Sequence, residues 1–142
     1  IGEAGVHGWQ RPTQTMIKTM SDYLIGKDPS LIEHHFQWLY RSSHFMGSVV
    51  QGALSAIDIA LWDIKGKYFN TPIYNLIGGP TRNSIPAYAS MLGFNVTDMT
   101  LVAERALEYK TKGFDAQKWF FRHGPMSGTE GFKKNVSLVK TF

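Results

Sequence analysis

The sequence contains no cysteine. Disulfide frameworks and thiolate-bound metals are therefore excluded, and the absence agrees with a cytoplasmic protein, the localisation expected. No stretch reaches the ~18 uninterrupted apolar residues that a bilayer-spanning helix needs, so no membrane partner is expected. No secretory signal pattern opens the chain. Basic residues are scattered without a lysine- or arginine-rich block, and the net charge is only +4, so no nucleic-acid partner is expected either. Low charge, 18% of residues against 43% hydrophobic, separates the chain from disordered sequences and places it among globular ones. Its 142 residues suffice to bury a real core.

What is present is punctuated by helix signals. The opening "IGEAG" reads as the tail of a strand running into a glycine-bearing loop. Pro12 suits the first turn of a helix reaching about Leu24 and ended by Gly26. Asp28 and Pro29 read as a cap and a first-turn proline opening a helix to about Arg41, with Leu31, Phe36, Leu39 and Tyr40 as its apolar stripe. The longest helix is expected over about Val49 to Phe69, because Val50, Leu54, Ile57, Leu61 and Ile64 recur at three-and-four spacing. Ala53, Ala56 and Ala60 would let neighbours approach closely, and the apolar circumference predicts burial on more than one side. A short helical turn should follow Pro72, with Gly78-Gly79-Pro80 as a stop.

The pattern changes near residue 85. "IPAYAS" reads as a strand, "DMTLVAERALEYKTKG" as an amphipathic helix burying Leu101, Val102, Ala106 and Leu107, "FDAQKWFF" as a second strand, and a further helix starts near Thr129. Strand, helix, strand, helix at this spacing argues for a parallel sheet. The expected division is residues 1–83, mostly helical, and 84–142, the α/β part. The first residue is not methionine and the last ones, "NVSLVKTF", fall inside a helical pattern, so a piece of a longer protein is expected.

Asp58 and Asp63, in "SAIDIALWDIKGK", pose a question of their own. Five residues along a helix turn them about 140° apart, so they cannot chelate one ion together. Each is expected to meet its own partner, with Lys67 four residues after Asp63 within pairing distance. Adjacent His34 and His35 face different ways and read as structural.

"ALSAIDIALWDIKGK" followed by "PIYNLIGG" closely resembles a signature of the mandelate racemase and muconate-lactonizing branch of the enolase superfamily. "IGEAG" is similar to a strand end of that family's capping domain, "IPAYAS" to its first barrel strand, and "GFDAQKWFF" to its second. The resemblance spans essentially the whole chain. It implies an α+β capping domain, largely helical here, followed by the first two βα units of an incomplete β/α (TIM-type) barrel. It also makes the two aspartates scaffold. Such enzymes remove a proton next to a carboxylate with the help of Mg2+, held by carboxylates of the third to fifth barrel strands; those lie beyond residue 142, and no metal ligand is assigned here.

The resemblance carries one catalytic residue over, Lys118, which matches the first lysine of a Lys-x-Lys pattern at the end of the second barrel strand. The second lysine is replaced by Phe120, which disfavours racemases and cycloisomerases that use it as a base. "KWFFRHGP" is more similar to sugar-acid dehydratases of the rhamnonate dehydratase type, where Lys118 would hold the substrate carboxylate. Arg122 and His123 follow on the rim. His7 and Trp9 match a cap loop covering the substrate, and Arg41 and His44 a second cap loop facing the site. The implied function is a hydro-lyase converting an aldonate to a 2-keto-3-deoxy acid, with an epimerase, racemase, cycloisomerase or non-catalytic fragment as the alternatives. A small carboxylate substrate and a homo-oligomeric assembly are implied as partners.

Overall fold

The computed structural model describes residues 1–142 as two compact units, Ile1–Thr81 and Arg82–Phe142. In the first, α1 (Gln10–Leu24), α2 (Ile32–Arg41), α3 (Ser48–Tyr68) and the single turn α4 (Ile73–Leu76) follow one another. The second runs β1 (Ala89–Ser90), α5 (Met99–Thr111), β2 (Gln117–Lys118), a 3-10 turn at Pro125–Ser127 and α6 (Gly128–Thr141).

The core of the first unit forms where α1 and α2 lie on α3. Met20, Ile32, Leu39, Ala53, Leu54, Ile57 and Leu61 are its buried residues. Each large one contributes about 1.5–3 kcal/mol on leaving water. α3 is covered elsewhere too, by the segment before α1. Gly2 lies against the Ala56 carbonyl, so closely that a Cβ there would overlap it, and Gly52 faces the Val6 side chain in the same way. Small residues on both partners make this approach possible, which accounts for burial of α3 on more than one side.

That segment corrects one expectation. Residues 1–5 form no strand: they pair with no second strand and lie instead against α3. α2 also starts later than expected, at Ile32. Asp28 instead caps a turn: its Oδ1 accepts from the Ser30 N–H at 2.8 Å, and its carbonyl from the Leu31 N–H at 3.3 Å. The inward stripe of α2 is Ile32, His35 and Leu39, while Leu31 and Tyr40 are exposed. His35 is 1% exposed, its Nε2 2.8 Å from the Asp28 carbonyl and its Nδ1 3.2 Å from the Tyr23 hydroxyl. His34 is exposed.

In the second unit the two strands pair in parallel, Ala89 with Gln117 and Ser90 with Lys118. The ladder is shorter than "IPAYAS" and "FDAQKWFF" suggest, since only the Ala89 N–H to Ala116 carbonyl and Met91 N–H to Lys118 carbonyl bonds, both 2.9 Å, flank it. α5 begins where expected: Asp98 Oδ1 accepts from the N–H groups of Thr100 (3.0 Å) and Leu101 (3.2 Å). It ends at Gly113, after which the Phe114 N–H reaches back to the Tyr109 carbonyl at 3.2 Å. Val102 joins Val96 and Leu138 in the core of this unit, with Trp119 and Phe120 against it. Leu107, expected inside, is 65% exposed, and Leu101 and Ala106 are half-buried: one two-stranded sheet and α6 cover only a narrow stripe of α5. No helix is long and apolar enough to cross a membrane.

Candidate active site

Lys118 ends β2, and the pleat decides which way it points. Successive side chains of a strand face opposite sides. Gln117 faces α5, where its Nε2 donates to the Ala106 carbonyl at 2.7 Å. Lys118 therefore occupies the opposite, helix-free face. Its strand neighbours obey the same rule: Ala89 and Met91 are buried, whereas Tyr88 and Ser90 are exposed on the side that Lys118 shares. The Lys118 ammonium donates to the Tyr88 hydroxyl at 2.8 Å. Gln117 is held from its other end by the Trp119 indole N–H, 3.1 Å from its Oε1, so β2 is fastened on the helix side while the lysine is left exposed.

Arg122 and His123 follow in the loop after β2. Asn135 of α6 clamps the His123 backbone, its Nδ2 donating to the carbonyl at 2.8 Å and its Oδ1 accepting from the N–H at 3.4 Å. Both loop residues line a cavity of about 230 Å³ with Thr97, Met99, Lys134 and Asn135 among its other walls. Arg122 is exposed and His123 half-buried. The second unit thus gathers two small groups: Lys118 with Tyr88, and Arg122 with His123.

The remaining expected residues belong to the first unit. His7 sits in a tight turn closed by the Trp9 N–H to Val6 carbonyl bond at 3.0 Å; Gly8 in this turn has φ 80°, a left-handed conformation that glycine tolerates. Thr13 anchors the turn to α1, its Oγ1 2.8 Å and its N–H 3.0 Å from the Trp9 carbonyl. His7 and Trp9 are both exposed. Arg41, at the end of α2, donates through Nε to Gln37 Oε1 at 3.2 Å, and His44 lies exposed in the loop beyond.

The two aspartates of α3 are separate, as the helical geometry requires. Asp63 accepts from Lys67 Nζ at 2.6 Å. That bond is the largest cause holding its carboxyl below the usual aspartate range. Asp58 does not meet the partner expected for it. It lines a depression of about 570 Å³ with Glu33, His34, Trp62 and Lys65. Burial, and then the negative charge of Glu33, push its carboxyl up. None of the expected site residues lines that depression.

No three His, Asp or Glu side chains of the chain come together as a metal site. The residues of this chain do not by themselves fit the magnesium that the resemblance implies. The signal that could have found Tyr88 was present in "IPAYAS": it stands two residues before Ser90, on one face with Lys118 across the ladder.

A helical cap-like unit and a β-α-β-α unit with a lysine at a strand's carboxyl end define a recognisable class. Residues 1–78 match the family described as mandelate racemase / muconate lactonizing enzyme, N-terminal domain, and the chain belongs to that family. Two curated relatives are similar over 82% of the chain. One is a D-galactonate dehydratase family member from Pseudarthrobacter chlorophenolicus, 39% identical. The other is a D-galactonate dehydratase from Pectobacterium atrosepticum, 37% identical. The chain spans only 29% and 30% of their lengths. Among solved structures, a Zymomonas mobilis protein provisionally described as a dehydratase superposes with a TM-score of 0.86 at 30% identity, over 99% of this chain and 42% of that one. The 3,6-anhydro-D-galactonate cycloisomerase from Zobellia galactanivorans gives 0.79 at 34% identity, over 99% of this chain and 38% of that one.

Proposed function

We propose that the chain is part of a sugar-acid dehydratase, a hydro-lyase, in which Lys118 holds the carboxylate of an aldonate. The carrying observation is that Lys118 ends a parallel strand with its amine on the face opposite α5. A cation there meets the carboxylate as negative charge grows on it, when the proton on the adjacent carbon is removed. The C3 hydroxyl then leaves as water, and the enol product becomes a 2-keto-3-deoxy acid. His7, Trp9, Arg41, His44, Arg122 and His123 belong to the reading as residues contacting the sugar hydroxyls or shutting out water. Magnesium, a cytoplasmic setting and self-association come with the family resemblance. No residue of this chain is assigned to the ion.

The relatives named for D-galactonate make that acid the first substrate to try. The full-length protein, given a panel of aldonates including D-galactonate with magnesium, should release a 2-keto-3-deoxy acid and lose turnover with chelator. Release of no keto acid from any aldonate overturns the dehydratase reading. The similarity to a cycloisomerase favours a second reading, isomerisation within the same family. Exchange of the α-proton with deuterated water without loss of water would select it.

A further inference from the structure

Lys118 does not stand alone. The structure assigns Tyr88 as the positioning residue that holds the Lys118 ammonium toward a substrate carboxylate; this deepens, and rests on, the dehydratase reading.

The two residues come from different strands and meet diagonally. Ser90 pairs with Lys118, and Tyr88 stands two residues before Ser90 on the same face. At that offset only a long side chain and a large one can touch, and they do, Lys118 Nζ lying 2.8 Å from Tyr88 Oη. The ammonium is also 4.9 Å from the centre of the ring. Those two distances together put it off the hydroxyl end of the ring, not above its face. The hydrogen bond therefore carries the contact, and the ring's π cloud contributes little.

This contact has a consequence for a flexible side chain. An exposed lysine samples many rotamers, and a carboxylate must collect it from all of them. A phenol oxygen accepting one ammonium hydrogen restricts that search and leaves the other two hydrogens for a ligand. Tyr88 supplies that oxygen. Its backbone is fixed by the adjoining ladder, where the Ala89 N–H donates to the Ala116 carbonyl at 2.9 Å. A rigid strand thus presents the oxygen, and the mobile partner adapts to it.

The test is a double-mutant cycle in the full-length enzyme, on whichever aldonate it turns over. Tyr88→Phe keeps the ring and removes the oxygen; it should lower kcat/KM about tenfold, the worth of a hydrogen bond to a charged group. Tyr88→Leu should do no worse, because the ring itself contributes little. In a Lys118→Ala background, Tyr88→Phe should change aldonate affinity less than about twofold, as coupled residues do. Calorimetry with D-galactonate gives that affinity where Lys118→Ala abolishes turnover. Wild-type kinetics in Tyr88→Phe, or an equal loss with and without Lys118, overturns the positioning role. Full activity in Lys118→Ala alone removes the underlying reading instead, so the two failures are distinguishable. Circular dichroism and Tm of each variant exclude unfolding as the cause of any loss.

Discussion

The imidazole of His35 fastens the Asp28 carbonyl to α2, its Nε2 lying 2.8 Å from that oxygen. A carbonyl can only accept, so Nε2 carries the hydrogen. Nδ1 lies 3.2 Å from the Tyr23 hydroxyl of α1. One buried side chain thereby joins the end of one helix, the turn after it and the next helix. His35→Phe keeps most of the volume and deletes both bonds. It should destabilise the full-length protein by about 1–3 kcal/mol in urea unfolding, because two polar groups are left unsatisfied. His35→Ala should cost more, about 2–4 kcal/mol, by adding a cavity. A loss below half a kilocalorie for both variants would show that the tie contributes nothing.

Asp58 and Asp63 share a helix and respond oppositely to acid. Burial raises the Asp58 carboxyl, so between the ordinary aspartate range and that raised value the folded state binds more protons than the unfolded one. Stability contributed by Asp58 then falls as pH rises through that window. Asp63 is held low by Lys67, so its contribution is complete above the ordinary range and is lost as pH falls through its depressed value. Asp58→Asn should accordingly raise Tm at neutral pH, and the gain should vanish as pH falls below the ordinary aspartate range. Asp63→Asn should lower Tm at neutral pH, with the difference again closing in acid. Parallel melting curves across that range check both signs; a destabilised Asp58→Asn would contradict the first.

The approach of Gly2 to Ala56 bears on the loop that holds His7 and Trp9. A methyl group at residue 2 overlaps the Ala56 carbonyl, which is helix backbone and cannot give way cheaply. Gly2→Ala should push the leading segment off α3 at a cost of about 1–3 kcal/mol. The Val6 to Trp9 turn follows directly, so its amides should exchange with solvent faster, while those in the middle of α5 should not change. Identical exchange of these amides in wild type and variant would contradict the coupling between Gly2 and the turn.

Helix positions were legible in the sequence wherever one signal decided them. Of the periodic residues of α3, Leu54, Ile57 and Leu61 are buried and Val50 is half-buried, while Ile64, expected in the same stripe, is exposed; Asp98 caps α5, and Gly113 follows its end. Misreadings arose where two signals competed. Asp28-Pro29 is a good helix opening, but Asp28 spends its carboxylate on a turn, and its carbonyl on His35, before α2 begins. Leu107 fits an amphipathic stripe, yet periodicity does not say how wide a cover the neighbours supply. Asp58 illustrates the same gap: spacing ruled out a shared ion, but only the packing of α2 on α3 brings Glu33 near it. For the candidate site, the family resemblance alone pointed to Lys118. For its partner Tyr88, alternation within "IPAYAS" gives the face, and the register between the two strands gives the pairing.

Gln117 fastens the helix-facing side of β2, and the effect of that tie on Lys118 can be tested. Its amide bridges the Ala106 carbonyl at 2.7 Å and the Trp119 indole at 3.1 Å, fixing the helix-facing side of β2. Removing it leaves the indole N–H without that acceptor and frees the strand to slide or twist. Gln117→Ala should lower stability by about 1–2 kcal/mol, the worth of two modest hydrogen bonds. If the bridge also aims the lysine, aldonate turnover should fall more than the folded fraction does. Gln117→Glu is the sharper variant: its carboxylate still accepts from Trp119 but cannot donate to Ala106 while ionised. It should keep the indole contact, seen as an unchanged Trp119 side-chain NMR resonance, and lose the tie to α5. Activity equal to wild type in both variants would mean that β2 holds Lys118 in place without help from the helix side.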